Sequence, residues 1–320
     1  MQGLVSILIP AYNAGTTIKA CLDSCLGQTY ANIEVLLLDN GSTDQTAAIA
    51  AACNDPRLHI ISQPHNLGIA PARNVLLKAA KGEYIAWIDA DDTMQTARIA
   101  LQTAYLDQHP ETDIVGSWIQ TDNADLPVQK MPLHHHEISA LLWFRNCMAQ
   151  PALMSRNFYS AENIFYDESY QNALEDYELW YRLRKRKQFA NLPLCLTVYH
   201  MSTGNALIEK LQNNGFEENL QRLWRVKWVD LNLPFSDSEK RSFQSFLQNN
   251  EALSEQAISD IRKILYALRR ATPSGMIKHI LPLHYLRLWR NMNVMQRIRH
   301  IRLIWQIRHY PELKRRFLIG

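Results

Sequence analysis

Short runs of consecutive apolar residues alternate with helically spaced segments over the first 120 residues. Residues 4–10 (LVSILIP), 33–39 (IEVLLLD), 58–62 and 84–89 (YIAWID) read as strands. Their nearly continuous hydrophobicity predicts burial on both faces, as parallel strands require. Between them, 14–28, 43–53 and 69–80 have the apolar spacing and length of helices. Ser42 or Thr43 is expected to cap the second helix, with Asp44 in its first turn. Strand–helix alternation in this order predicts an α/β fold with a doubly wound, mostly parallel sheet and right-handed crossovers.

In such sheets ligands bind outside the carboxyl ends of the strands. Those ends carry Pro10-Ala11-Tyr12-Asn13, Asp39-Asn40-Gly41-Ser42 and Asp89-Ala90-Asp91-Asp92, so polar and acidic residues are expected to converge on one edge. The pattern then becomes mixed. Residues 139–146 and 172–186 read as helices, and 151–156 and 192–200 as strands. Beyond 205 the spacing is helical, with Trp224, Trp228, Leu231, Phe243, Phe246 and Leu247 on apolar faces. Three regions are expected: 1–120, 121–205 completing the same domain, and a helical, basic 206–320.

An apolar fraction of 47% with 20% charged residues excludes a disordered chain. Five cysteines, none in a C-x-x-C, read as reduced thiols rather than a zinc site or a disulfide framework; Cys21 and Cys25 are expected in the core. The N-terminus lacks the basic region of a signal peptide, and no apolar run approaches the ~20 residues that cross a bilayer. The expected location is cytoplasmic, peripheral to the inner face of the membrane. Charge supplies the reason. Residues 276–320 hold ten Lys/Arg against Glu312 alone, while the rest of the chain has 24 basic and 30 acidic residues. Such an asymmetry calls for an anionic partner. Trp289, Trp305 and aliphatic residues interleaved with the cations favour an anionic membrane surface, and the acidic remainder of the chain disfavours nucleic acid.

No G-x-G-x-x-G follows the first strand, and neither a P-loop nor a G-x-S-x-G elbow occurs. Asp89-Ala90-Asp91-Asp92 takes their place at the end of a buried strand. Paired carboxylates suit Mn²⁺ or Mg²⁺, hard cations that take oxygen ligands and bridge to phosphates. His134-His135-His136 is expected to be a solvated loop, because adjacent residues seldom converge on one ion.

The blocks VSILIPAYN (5–13), IEVLLLDNGSTDQT (33–46), HNLGIAPARN (65–74) and KGEYIAWIDADD (81–92), followed by FYDESYQNALEDYELWYRL (165–183), resemble the family 2 inverting glycosyltransferases. The resemblance spans residues 3–205 and implies the A-type glycosyltransferase fold. Carried over, it places Pro10, Ala11 and Tyr12 along the nucleotide base and Asp39 as acceptor of a hydrogen bond from it. The family usually has Asp-Asp-Gly-Ser here; Asn40 replaces the second acid, with little expected consequence. Arg73 is implied beside the nucleotide. Asp89 and Ala90 would contact the donor, and Asp91, with Asp89, would hold the metal. Asp92 is expected behind them or at a helix start. His200, in Tyr199-His200-Met201-Ser202, is a third candidate ligand. Asp176, with Glu175 beside it, is implied as the general base.

Two acidic centres some 85 residues apart in the sequence fit inverting transfer. A proton leaves the nucleophile on one face of the sugar, and charge builds on the diphosphate at the other. The implied activity is hexosyl or N-acetylhexosaminyl transfer from a nucleotide-diphospho-sugar, a UDP-sugar by preference. The acceptor would be a glycan or lipid-linked glycan of a bacterial surface polymer such as lipopolysaccharide or capsule. Two alternatives stay open: a sugar nucleotidyltransferase of similar fold, which wants a glycine-rich basic loop after the first strand, and a non-catalytic sugar-nucleotide or lipid-binding protein.

Overall fold

The computed structural model describes residues 2–122, 127–170, 173–200, 214–248 and 253–271, together with His284, Leu288, Met292 and Gln296. The chain divides into two compact units, Met1–Leu223 and Trp224–Gly320.

The first unit is built on one sheet. Strands β1 (Val5–Ala11), β2 (Ile33–Asp39), β3 (Leu58–Ser62) and β4 (Tyr84–Trp87) alternate with helices α1 (Ile18–Leu26), α2 (Thr46–Ala51) and α3 (Ile69–Ala79). The sheet continues through β5 (Thr93–Met94), β6 (Ile114–Thr121), β7 (Val128–Gln129), β8 (Met154–Arg156) and β9 (Phe189–Tyr199), with α4 (Arg98–Gln108), α5 (His135–Phe144) and α6 (Glu175–Leu183) between them. Strand order is β3-β2-β1-β4-β8-β6-β9-β5, with β7 added on β6. The first four strands are parallel, with Ala11 opposite Asp39. β8 runs antiparallel to both β4 and β6. The connection from β3 returns the chain to the far side of β1. The crevice between the carboxyl ends of β1 and β4 is therefore the topological switch point, where such sheets bind ligands.

The core confirms the mixed α/β reading. β1 and β2 are buried almost throughout, and Ile18, Cys21, Leu22 and Cys25 of α1 pack against them, as expected for the two thiols. β3 differs: three of its five residues are exposed, because it is the sheet's edge and has, among the described residues, a neighbouring strand on one side only.

Several expected elements shift at their ends, each for a visible reason. α2 begins at Thr46 rather than 43. Ser42 Oγ accepts from Asn13 N–H and Thr43 N–H donates to Asn13 Oδ1, so both expected caps serve inter-loop bonds, while the Asp44 carboxylate accepts from the Thr46 and Gly15 amides. α6 starts at Glu175 because Leu174 is left-handed (φ 67°). Residues 150–152 form a turn of 3₁₀ helix, not strand. The carbonyls of Pro151, Ala152 and Leu153 are taken by the side chains of Arg98 and Gln102, leaving β8 only three residues. His134–His136 open α5 rather than forming a loop: the Glu137 carboxylate accepts from His134 N–H, and His135 Nδ1 from Phe189 N–H.

In the second unit the predicted helices appear. Part of α7 (Asn214–Leu231), α8 (Asp237–Gln248) and α9 (Glu255–Ala271) enclose Trp224, Trp228, Phe243 and Phe246, with Ile258, Ile261, Ile264 and Leu265 buried along α9. Among the described residues no helix is long and apolar enough to cross a membrane. The basic segment 276–320 lies outside the described residues except at His284, Leu288, Met292 and Gln296.

Candidate functional site

The loops at the carboxyl ends of β1 and β2 are stitched together before any ligand is considered. Asn13, left-handed at φ 50°, accepts from Thr43 N–H (2.9 Å) while its own N–H donates to Ser42 Oγ (3.0 Å). Ala14 N–H donates to Thr46 Oγ1 (2.8 Å). Pro10 and Ala11 end β1, and Tyr12 beyond them is about half exposed, leaving an aromatic face on the crevice rim. Asp39 is buried at the end of β2 and accepts from Ser42 N–H (3.1 Å).

Asn40 does more than fill an acid's place. Its amide donates to Asn66 Oδ1 (3.0 Å) and to the Gly68 carbonyl (3.3 Å), and its Oδ1 accepts from Leu67 N–H (3.0 Å). It thereby pins the 65–68 loop that leads into α3. Gly41 (φ 76°) lets these loops touch: a Cβ there would fall 2.4 Å from the His65 carbonyl carbon.

The acidic loop after β4 is crowded. Asp89 is part-exposed and Asp91 exposed, while Asp92 is wholly buried. Asp92 Oδ1 accepts from His200 N–H (3.0 Å), and its Oδ2 has no partner among the described residues. Burial, then the neighbouring Asp89, push Asp92 up to about 8. His200 Nδ1 lies 3.3 Å from Asp122 Oδ2, which leaves Nε2 as the remaining donor atom of that ring. Among the described residues no three His, Cys, Asp or Glu side chains converge to hold an ion by themselves. The carboxylates of Asp89 and Asp91 nevertheless fit a hard divalent cation in kind, with water and phosphate oxygens completing its coordination. The negative charge of Asp89 and Asp91, which adds to the effect of burial at Asp92, is what such a cation would offset.

Arg73 joins this loop to the second acidic centre. It is nearly fully buried on α3, with its guanidinium 5.8 Å from the Trp87 ring centre and 5.6 Å from that of Tyr166. Nη2 reaches Asp89 Oδ1 at 3.4 Å, and Nη1 forms a close ion pair with Glu175. Burial opposes its charge, but Glu175 and Asp89 outweigh that and hold Arg73 cationic. Glu175, expected to share the catalytic role of Asp176, is thus the buried counter-ion of Arg73. Arg73, expected to offer its fork to a nucleotide, already directs both Nη atoms to acids.

Asp176 occupies the next position of α6 and is half-buried. Asn146 Nδ2 donates to its Oδ2 (2.9 Å), and Tyr177 N–H donates to Oδ1 (2.6 Å). Burial raises its pKa above the ordinary aspartate value, Arg73 and the two donors pull the other way, and Asp89 adds to the rise. A half-enclosed carboxylate of raised basicity, held by fixed donors, is suited to take a proton.

Comparison with known proteins gives the family of the chain. Residues 6–202 match the family described as Glycosyl transferase family 2. The chain belongs to that family. An uncharacterized glycosyltransferase of Haemophilus influenzae is 29% identical over 212 residues, covering 62% of this chain and 65% of its own length, just under two thirds. The Escherichia coli protein WfaP, named as a UDP-Glc:α-D-GlcNAc-diphosphoundecaprenol β-1,3-glucosyltransferase, is 34% identical, covering 70% of this chain and 88% of its own. In fold, the chain resembles residues 1–349 of TarS from S. aureus, solved in complex with UDP-GlcNAc. That match has a TM-score of 0.58 at 19% identity and covers 98% and 91% of the two chains.

Within this family 2 chain, three residues of the site carry no distinguishing signal as individual positions. Asn74 stands inside a matching block, yet only the structure shows what it holds. It clasps the Tyr166 backbone with both ends of its amide (3.0 and 2.9 Å), keeping Tyr166 beside Arg73. Arg98 binds the Trp87, Pro151 and Leu153 carbonyls, so the end of β4 and the 150–153 turn share one anchor. Asn146 is the third.

Proposed function

We propose that this family 2 protein transfers a hexosyl or N-acetylhexosaminyl group, with inversion, from a UDP-sugar to a hydroxyl of a lipid-linked glycan precursor at the inner face of the cytoplasmic membrane. The carrying observation is the Arg73 bridge, which holds Asp89 at one end and the residue beside Asp176 at the other. Two acidic centres on either side of a sugar are what inverting transfer needs. WfaP's named substrates and the UDP-GlcNAc in TarS support the donor and acceptor classes.

In this reading Tyr12 covers the base and Asp39 accepts a hydrogen bond from it. Asp89, Ala90 and Asp91 face the donor's ribose and diphosphate. Asp176 takes the acceptor hydroxyl's proton as that oxygen bonds to the anomeric carbon, and the bond from carbon to diphosphate oxygen breaks with its electrons leaving on UDP. Proton removal of this kind contributes ~10²–10⁴-fold. Mn²⁺ or Mg²⁺ held by Asp91 and Asp89, with His200 available through Nε2, would supply positive charge against the departing diphosphate. Arg73 and Glu175 act as positioning residues. The basic residues 276–320 would dock the enzyme on anionic lipid, at ~1 kcal/mol per engaged cation.

The test is transfer by the full chain from a panel of UDP-sugars to a GlcNAc-diphosphoryl lipid with Mn²⁺. UDP release with a β-linked product is expected, abolished by EDTA, and at least ~100-fold slower for Asp176→Asn with donor binding retained. Pyrophosphate release, or undiminished transfer by Asp176→Asn, would overturn the reading.

A further inference from the structure

We infer that Asn146 is a positioning residue for the reaction: its amide fixes which lone pairs of the Asp176 carboxylate remain open to the acceptor hydroxyl. The inference rests on the assignment of Asp176 as the base.

The orientation of the Asn146 amide is decided by its neighbours. Met148 N–H can only donate, and it lies 3.1 Å from Asn146 Oδ1. The opposite end must therefore be the NH₂ group, and it lies 2.9 Å from Asp176 Oδ2. Tyr177 N–H meets the other oxygen. Each carboxylate oxygen thus keeps one protein donor in place, which stops the group from rotating and leaves its outward lone pairs for a substrate proton.

The segment that carries Asn146 is fixed at several points. Arg145 N–H closes α5 onto Leu141 O, and Cys147 Sγ donates to Ile138 O (3.6 Å). Asn191 Nδ2 donates to Met148 Sδ (3.5 Å), and Arg98 and Gln102 hold the turn at 150–153. Asn146 therefore approaches α6 from a rigid base, 30 residues away in sequence. An amide serves this role better than a charged donor: it restrains the carboxylate and favours its anionic form, yet does not neutralise it as an adjacent cation would. Among the described residues, Arg73 from α3, Asp89 from the loop after β4, Glu175 on the same helix, and the Tyr166 and Tyr199 phenols bear on this carboxylate.

Asn146→Ala and Asn146→Asp, alone and with Asp176→Asn, test the inference in the full chain by steady-state kinetics across pH. Asn146→Ala is expected to lower kcat about tenfold, leave the donor KM within about twofold, and move the acidic limb of the kcat profile to higher pH. The isosteric Asn146→Asp moves that limb further, because a second carboxylate faces the first. In the Asp176→Asn background neither change is expected to reduce the residual rate again. An inactive Asp176→Asn enzyme together with unaltered kcat and pH profile in both Asn146 variants would overturn the inference and leave the base assignment standing. A fall in kcat with an unmoved profile would also overturn it, as the mark of a purely structural loss. A fully active Asp176→Asn enzyme would remove the base itself, and this inference with it.

Discussion

Replacing Arg73 with methionine isolates the bridge that holds the site together. Both partners of the Arg73–Glu175 pair are about 95% buried, so the variant leaves a carboxylate in the interior with no counter-ion. Breaking a buried pair on one side costs about 3–5 kcal/mol. In a unit the size of Met1–Leu223 each kilocalorie shifts Tm by about 2–4 °C, so a fall of about 10 °C is expected. The loss must depend on pH. Burial already raises the Glu175 pKa against the pull of Arg73, and removing Arg73 raises it further. The folded state then holds a proton on Glu175 over a pH range where the unfolded chain, at an ordinary value of ~4.3, has lost it. Stability of the variant therefore falls as pH rises through that window, and its deficit against wild type is smaller at pH 5 than at pH 8. Differential scanning calorimetry at the two values measures this. Arg73→Met/Glu175→Leu removes both charges and should recover most of the lost Tm without recovering transfer. If the double variant melts as low as the single one, the two side chains are not coupled and the bridge is not what orders the site.

The acidic limb of kcat for wild type is expected above the ordinary aspartate range of ~3.9, because burial raises Asp176 and only its ionised form accepts a proton; a limb at or below that value refutes the assignment. Asn40→Asp should cost about 1–3 kcal/mol at neutral pH, since a carboxylate cannot donate to Asn66 and the Gly68 carbonyl. Acidification, which restores a donor, should narrow the difference in thermal melts. Gly41→Ala, which needs a left-handed alanine against His65, should cost about 3 kcal/mol by urea unfolding. Wild-type stability there would show that the two loops part easily.

The departures from sequence expectation share one cause. Periodicity reports how a residue sits relative to its own element. It placed β1, β2, α3 and the acidic loop close to where they fold, because consecutive burial in a parallel sheet leaves its mark residue by residue. It overstated the burial of β3, which stands at the edge of the sheet that the described residues form. It put caps at Ser42 and Thr43, which bond to or accept from another loop. It read 151–153 as strand, although side chains from α4 take the carbonyls.

At the site the division is sharper. The linear chain by itself determined the inventory: Asp39 at one strand end, Asp89, Asp91 and Asp92 at another, and the Glu175–Asp176 pair far along. These are visible because strand ends are local features and the family blocks are contiguous. Only tertiary structure decided which acid is tied up in a buried ion pair. Glu175 and Asp176 are adjacent and chemically alike, yet one faces Arg73 across 102 residues and the other meets Asn146 across 30. Such pairings are set by how α3, α5 and α6 pack on the sheet, and no short-range period encodes a contact between side chains that distant in sequence.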